Sequence, residues 1–386
     1  MKIIKWIVVF CFLNTTVFAQ IKLDTPKYLT YDVPQKYETI LFIAIDSILM
    51  DIETGNFDDM ILSKKSAKLF KATYDWALTY YIQLDLKNDI NLSKQITNIC
   101  LLEKDVYSIS VAYFQHKNDT TRLRYNLQLI ADFRNNQLVF DLPLHYETAL
   151  WHRKTIGTTT YIFRGKLNKE RVNIFNQKNI EMAQKFGLEV VPFDFYMCRN
   201  YQEVLRLLGI EYSVYANGNV NEGYGVVDNT IFAIQNNEDF SHDIFHFYSA
   251  KLYQRKDRNW IAEEGIAYLW GNAYYTDENG EMITVDTLVA LLKDYLQQDY
   301  SKSIYELFET DDGIYPQFDA RVSIRSVISA VLVHEVEQKY GQKGVQQLIN
   351  CGDDKRMANY LEIIDELLNI NKVNFDEELL KLIYEF

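Results

Sequence analysis

The stretch 241-SHDIFHFYSAKLYQRKDRNWIAEEGIAYLWG-271 decides how this chain is read. It places His242 and His246 four positions apart and later sets Glu264 directly before Gly265. Residues at i and i+4 of a helix share one face, one turn apart. Two imidazoles so placed can reach one zinc ion with bonds of about 2.0–2.1 Å. A carboxylate from a second helix would complete a three-ligand set and leave a fourth position for water. That open position separates a catalytic zinc site from a closed structural one.

Residues 260–267 predict the second helix. Gly265 and Ala267 are small, so this helix can approach the histidine helix closely and bring a carboxylate to the metal. Glu263 and Glu264 both stand where that carboxylate is needed. Each also fits a plainer role as a first-turn acid facing the positive end of the helix dipole. The two histidines fit a plainer role as well, as helix residues satisfied by their neighbours. Asp243 falls in the first turn of its helix if Ser241 is the cap, a place where an acid is favoured.

The His242-x-x-x-His246 pair, the later Trp260-x-x-Glu-Glu-Gly-x-Ala267 and the order of elements around them resemble the gluzincin metallopeptidases, particularly the peptidase MA branch. In that family an HExxH helix supplies two zinc ligands and a general base, and a Glu-Gly-x-Ala helix supplies the third ligand. The resemblance spans residues 155–352, and only the 241–271 segment is specific. It implies Zn2+ held by His242, His246 and Glu264, and a peptide or protein as substrate. Seventeen residues (247–263) separate His246 from Glu264, close to the family's gap. The family's tryptophan usually precedes the ligand by three positions, which points to Glu263. The Glu-Gly-x-Ala register points to Glu264.

One departure matters for chemistry. The family carries Glu where this chain has Asp243. The family's carboxylate accepts a proton from the attacking water and delivers it to the leaving amine. Aspartate has the same chemistry on a stem one methylene shorter, and a misplacement of about 1 Å can cost on the order of 100-fold in rate. Two readings follow from the resemblance: a hydrolase with Asp243 as its base, or a weak or inactive relative that binds a peptide or partner in the same cleft. Gluzincins also steady the oxyanion with a tyrosine or histidine from the lower lobe, and Tyr315 is the candidate for that catalytic role.

The whole chain sets outer bounds. Lys2 and Lys5, an apolar run over 7–13 and Val17-Phe18-Ala19 read as a signal peptide over 1–19, cleaved near Ala19. That predicts an exported protein, periplasmic or extracellular, with no membrane span after cleavage. Without the two leader lysines, 38 basic residues face 53 acids, a formal charge of −15 (38 − 53). Such a balance argues against nucleic acid or anionic membranes as partners. Cys100, Cys198 and Cys351 remain, with no Cys-x-x-Cys spacing for a thiolate zinc site.

The pattern predicts an α+β protein with an N-terminal domain over 20–152 and a gluzincin-like domain over 153–386. Helical spacing covers 37–52 and 63–84, and then alternating strands run from 94 to 142 with turns at 117–119 and 134–136. The second half alternates: strand 160–164, helix 169–186, strand 190–197, helix 201–208, and a strand or hairpin over 224–233 ahead of the histidine helix. Gly223 and Gly225 suit a close backbone approach or a plain turn there. Helices follow at 285–296, 322–340 (stopped by Gly341), 343–349 and 357–368. His116, His145 and His152 are scattered and read as structural or exposed, and His334-Glu335 has no partner four residues on.

Overall fold

The computed structural model describes residues 21–26, 29, 31–58, 60–88, 90–134, 137–216, 225–233, 237–273, 282–298, 302–318, 322–353 and 357–386. The leader expected over 1–19, Gly223, Tyr224 and most of the expected 134–136 turn lie outside the described residues. The fold is α+β: helices and an antiparallel sheet come first, then a second sheet and a largely helical region. Two compact units form, residues 1–143 with 209–217, and residues 144–208 with 218–386. No helix among the described residues is long and apolar enough to cross a membrane.

In the first unit, α1 (Gln35–Thr54) buries Leu41, Ile45, Ile48, Leu49 and Ile52 at helical spacing. It stops at Gly55, whose φ of 77° suits glycine. The helix expected over 63–84 begins later, as α2 (Ala67–Tyr74), and continues through a π turn (Asp75–Thr79) into α3 (Tyr80–Lys87). Residues 62–63 are held out of it by the sheet, since Ser63 N donates to the Phe140 carbonyl at 2.8 Å. β1 (Leu23–Asp24), β2 (Leu92–Glu103), β3 (Val106–Lys117), β4 (Thr120–Asp132) and β5 (Val139–Asp141) make the sheet, which is antiparallel from β2 onward. The later segment Ile210–Ser213 (β9) returns to pair with β4. Tyr215 fastens it by donating to the buried Asp85 carboxylate at 2.6 Å, beside Arg124 and Tyr125.

The second unit starts with the short α4 (Leu144–Glu147), then β6 (His152–Ile156), β7 (Thr159–Phe163), α5 (Lys169–Phe186), β8 (Phe193–Met197) and α6 (Tyr201–Leu207). The hairpin of β10 (Gly225–Val227) and β11 (Thr230–Ala233) completes a sheet of order β10-β11-β8-β7-β6. β7, β8 and β11 run parallel, and each outer strand is antiparallel to its neighbour. The strand expected from 190 starts only at Phe193, after Pro192, which has no N–H for the ladder.

Helices fill the rest: α7 (Ser241–Leu252), α8 (Trp260–Ile266) running into a π turn (Ala267–Gly271), α9 (Val285–Gln298), α10 (Ile304–Thr310), α11 (Ile324–Ile349), α12 (Ala358–Leu368) and α13 (Phe375–Glu385). Neither α10 nor α13 is anticipated by the periodicity read above. Gly341 breaks α11 with φ 59° and ψ −153°, a conformation essentially restricted to glycine. A single apolar core joins Phe193 and Phe195 of the sheet to Phe175 of α5, Phe245 and Tyr248 of α7, Ile261 of α8 and Val327 of α11. It packs α7 on the π turn that follows α8, which brings His242 and His246 within reach of Glu264.

Candidate metal centre

Local chemistry starts both helices. Asn237 Oδ1 accepts from Asp239 N, and Asp239 Oδ1 accepts from Ser241 N, each at 3.1 Å. These side-chain turns launch α7. The cap position is therefore Phe240, not Ser241 as the sequence suggested, and the Asp239 side chain just before it satisfies the Ser241 N–H. Ser241 Oγ instead accepts from Asn272 Nδ2 at 3.0 Å. Asn259 caps α8, its Oδ1 accepting from Ile261 N and Ala262 N at 3.1 and 3.2 Å.

The geometry selects Glu264. Nε2 of His242 lies 3.4 Å from Nε2 of His246. Glu264 closes the triangle, Oε2 standing 3.5 Å from His242 Nε2 and Oε1 3.3 Å from His246 Nε2. Bonds of about 2.0–2.1 Å at a tetrahedral angle put ligand atoms roughly 3.3–3.4 Å apart. The observed edges match that separation. His242, His246 and Glu264 form a group able to hold a metal ion, the one such group found among the described residues.

Glu263 faces elsewhere. Its carboxylate accepts from Ser249 Oγ and from Arg258 Nη1, the latter at 3.1 Å to both oxygens. Oε2 stands 4.0 Å from His246 Nδ1, on the side of the ring away from Nε2. It is an outer neighbour of the candidate ligand set.

His242 is oriented from behind. Its Nδ1 lies 3.1 Å from the Asn272 carbonyl oxygen. A carbonyl only accepts, so Nδ1 carries the proton and the Nε2 lone pair faces the triangle. Asn272 is in turn fixed by Asp239 Oδ2, which accepts from its Nδ2 at 2.9 Å. Lys178 of α5 donates to the Gly271 carbonyl. Gly271 is required here, because a Cβ on it would lie 2.8 Å from His242 N and 2.9 Å from His242 Cα. The π turn that ends at Gly271 is thus the close neighbour of the histidine helix.

Gly265 plays a different part from the one the sequence suggested. A Cβ there would meet Ser329 of α11, at 2.7 Å from its Cβ and 2.8 Å from its carbonyl carbon. So Gly265 brings α8 against α11, and α8 holds Glu264 toward α7 from that support. The packing argument for this glycine stands with its partner corrected.

Charges in the site pull against one another. Burial opposes charging His242, yet its hydrogen bond and attraction to Glu264 outweigh that, and its pKa is raised. Burial also penalises the Glu264 carboxylate, but the two imidazoles hold it well below the usual carboxylate range. Asp243 goes the other way. Burial raises its pKa against the pull of both histidines. Its Oδ2 is buried with no hydrogen-bond partner among the described residues. An unsatisfied buried carboxylate oxygen costs stability and marks a place where a polar group is missing.

Tyr315, the expected oxyanion partner, is buried, and its hydroxyl donates to the Leu288 carbonyl at 3.2 Å. That bond commits the group to the helical core. A tyrosine beside the candidate ligands is Tyr268, whose ring centroid stands 5.7 Å from that of His242. Its hydroxyl accepts from Ser323 N at 3.4 Å, at the start of α11. Sequence reading passed over Tyr268, Gly271, Asn272 and Asp239. Only Asp239 carried a usable signal, as an Asn-x-Asp run two residues ahead of a helix.

Compared with profiles of known protein families and with curated proteins, the chain matches none.

Proposed function

We propose that this protein is an exported zinc-dependent metallopeptidase that hydrolyses peptide bonds. The observation that carries the reading is the reach of Glu264, one oxygen toward each Nε2 of a histidine pair, at metal-ligand spacing. His242, His246 and Glu264 would hold the ion, and two neutral nitrogens with one carboxylate suit zinc. When bound, Zn2+ supplies Lewis acidity and lowers the pKa of water. Asp243 is the general base. It sits one position along the same helix, and its unpartnered Oδ2 is where a proton from water would be held and then passed to the departing amine. Its raised pKa favours keeping that proton until the leaving group needs it.

His242 Nδ1 stays bonded to Asn272 throughout, so the ring neither rotates nor changes tautomer. β10 is the edge strand of its sheet and packs on α7. An extended peptide adding there would lie along the ligand helix. The leader read in the sequence supports export.

The shorter Asp243 favours a second reading, a metal-binding relative that grips a peptide without cutting it. Metal analysis with a peptide-cleavage assay decides. One zinc per chain, lost in His242→Ala, with cleavage lost in Asp243→Asn, supports the peptidase. Zinc with no cleavage by the wild type or by Asp243→Glu supports the binding protein, and a metal-free purified protein defeats both.

A further inference from the structure

The sheet of the second unit has two edges, and the one opposite β10, β6, carries its own chemistry. We infer that β6 and the arginines beside it form a docking edge for an acidic, extended polypeptide segment of another protein.

β6 is the last strand on its side of the sheet, and His152, Arg153, Lys154 and Thr155 are all exposed. An outer strand offers unpaired N–H and C=O groups to an added chain. Register places the charges. Arg153 pairs with Ile162 and His152 with Phe163, so Arg164 lies on the same sheet face as Arg153. Arg164 stacks on Trp151 at 4.3 Å.

Three guanidiniums converge on one buried carboxylate. Arg164 Nη2 reaches both oxygens of Glu203 at 2.6 and 2.5 Å, Arg199 reaches it at 3.2 Å and Arg206 at 3.8 Å. Asp194 also lies on this face, in register with Thr160 of β7. Three arginines on the single Glu203 carboxylate leave a local excess of positive charge, on a chain whose net charge is −13. Arg164, Arg199 and Arg206 are all exposed. Their bonds to Glu203 show that they pair with a carboxylate, and a guanidinium fork fits that group, so acidic side chains are the class inferred for the added segment.

Leu150 stands just ahead of the strand and is 96 % exposed, an apolar anchor at one end of the edge. Nucleic acid or an anionic vesicle would use the arginines alone. The free strand edge and Leu150 favour a polypeptide, which also needs backbone partners and an apolar contact.

The test is fluorescence anisotropy with the full-length protein and a labelled peptide of alternating Glu and Val, about ten residues long. Saturable binding is expected at about 50 mM salt, weakening at about 300 mM. The Gln–Val analogue should bind about tenfold more weakly, and so should the Glu–Val peptide with alternate amides N-methylated. Arg199→Ala with Arg206→Ala, which leaves Glu203 held by Arg164, and separately Arg153→Glu, should each weaken binding about tenfold. His242→Ala should leave binding unchanged, which separates this edge from the metal cleft. The inference is overturned if the Gln–Val peptide binds equally, or if N-methylation or both sets of arginine variants change nothing. Loss in His242→Ala with retention in the arginine variants, or tighter binding of phosphatidylglycerol vesicles or single-stranded DNA than of the peptide, also overturns it.

Discussion

His246 Nε2 and Glu264 Oε1 stand 3.3 Å apart although they belong to separate helices, α7 and α8. Without a metal that contact joins a half-buried imidazole to a half-buried carboxylate. With one, it is an edge of the coordination shell. Glu264→Gln should lower zinc affinity by at least about 100-fold, because an amide is a far poorer ligand. Glu263→Gln should keep the metal and lower stability instead, since it leaves the Arg258 guanidinium without its charged partner. Elemental analysis and thermal melts of the two variants check the contrast, and equal metal loss in both would show that the ligand assignment is wrong.

Asp243 gives the second prediction. Asp243→Asn should retain zinc and lose peptide cleavage by about 100-fold or more, since the amide cannot hold the proton. Asp243→Glu should cleave faster than the wild type if the shorter stem limits proton transfer. Steady-state rates on a casein-derived peptide mixture, with zinc content measured in parallel, give the answer.

The response to pH follows from His242, whose raised pKa reflects the Glu264 carboxylate prevailing over burial. A raised histidine pKa stabilises the metal-free fold below the unfolded value of about 6.5. That stability is lost as pH rises through the folded value. Metal loading needs neutral imidazoles and runs the opposite way. The chelated protein should therefore lose part of its stability as pH rises above about 6.5 while zinc adds progressively more, and apparent zinc affinity should fall about tenfold per pH unit for each proton taken up on acidification. Titration calorimetry in two buffers of different protonation enthalpy counts the protons released. None released at pH 6.5 would contradict this account.

Two glycines should behave differently. Gly265→Ala drives a methyl into Ser329, and destabilisation by about 1–3 kcal/mol is expected, read as a lower melting temperature. Ser329→Ala should not rescue it, because the Ser329 Cβ and backbone remain in the way. Gly271→Ala presses on the His242 backbone itself, so its first symptom should be weaker zinc binding, by about tenfold or more.

Much of this was readable in advance because it is local. Helical periodicity gave α1, α5, α9 and both halves of α11 within a few residues, and Gly341 sits where the break was expected. The start of α2 was misplaced because the Phe140 carbonyl, far along the chain, binds Ser63 N. β9 escaped notice for the same reason. Its partner β4 lies long before it in sequence, and nothing in Ile210–Ser213 announces the pairing.

Sequence alone determined that two imidazoles would share a helix face and that a glutamate beside a glycine would follow on a second helix, since one helical turn settles both. Tertiary packing decided which glutamate serves. Adjacent helix residues point about 100° apart, so the approach of α8 against α11 at Gly265 turned Glu264 toward the histidines and Glu263 toward Arg258. It also decided that a backbone carbonyl, that of Asn272, would orient His242. Every residue carries such a carbonyl, and only the folded chain says which one faces the ring.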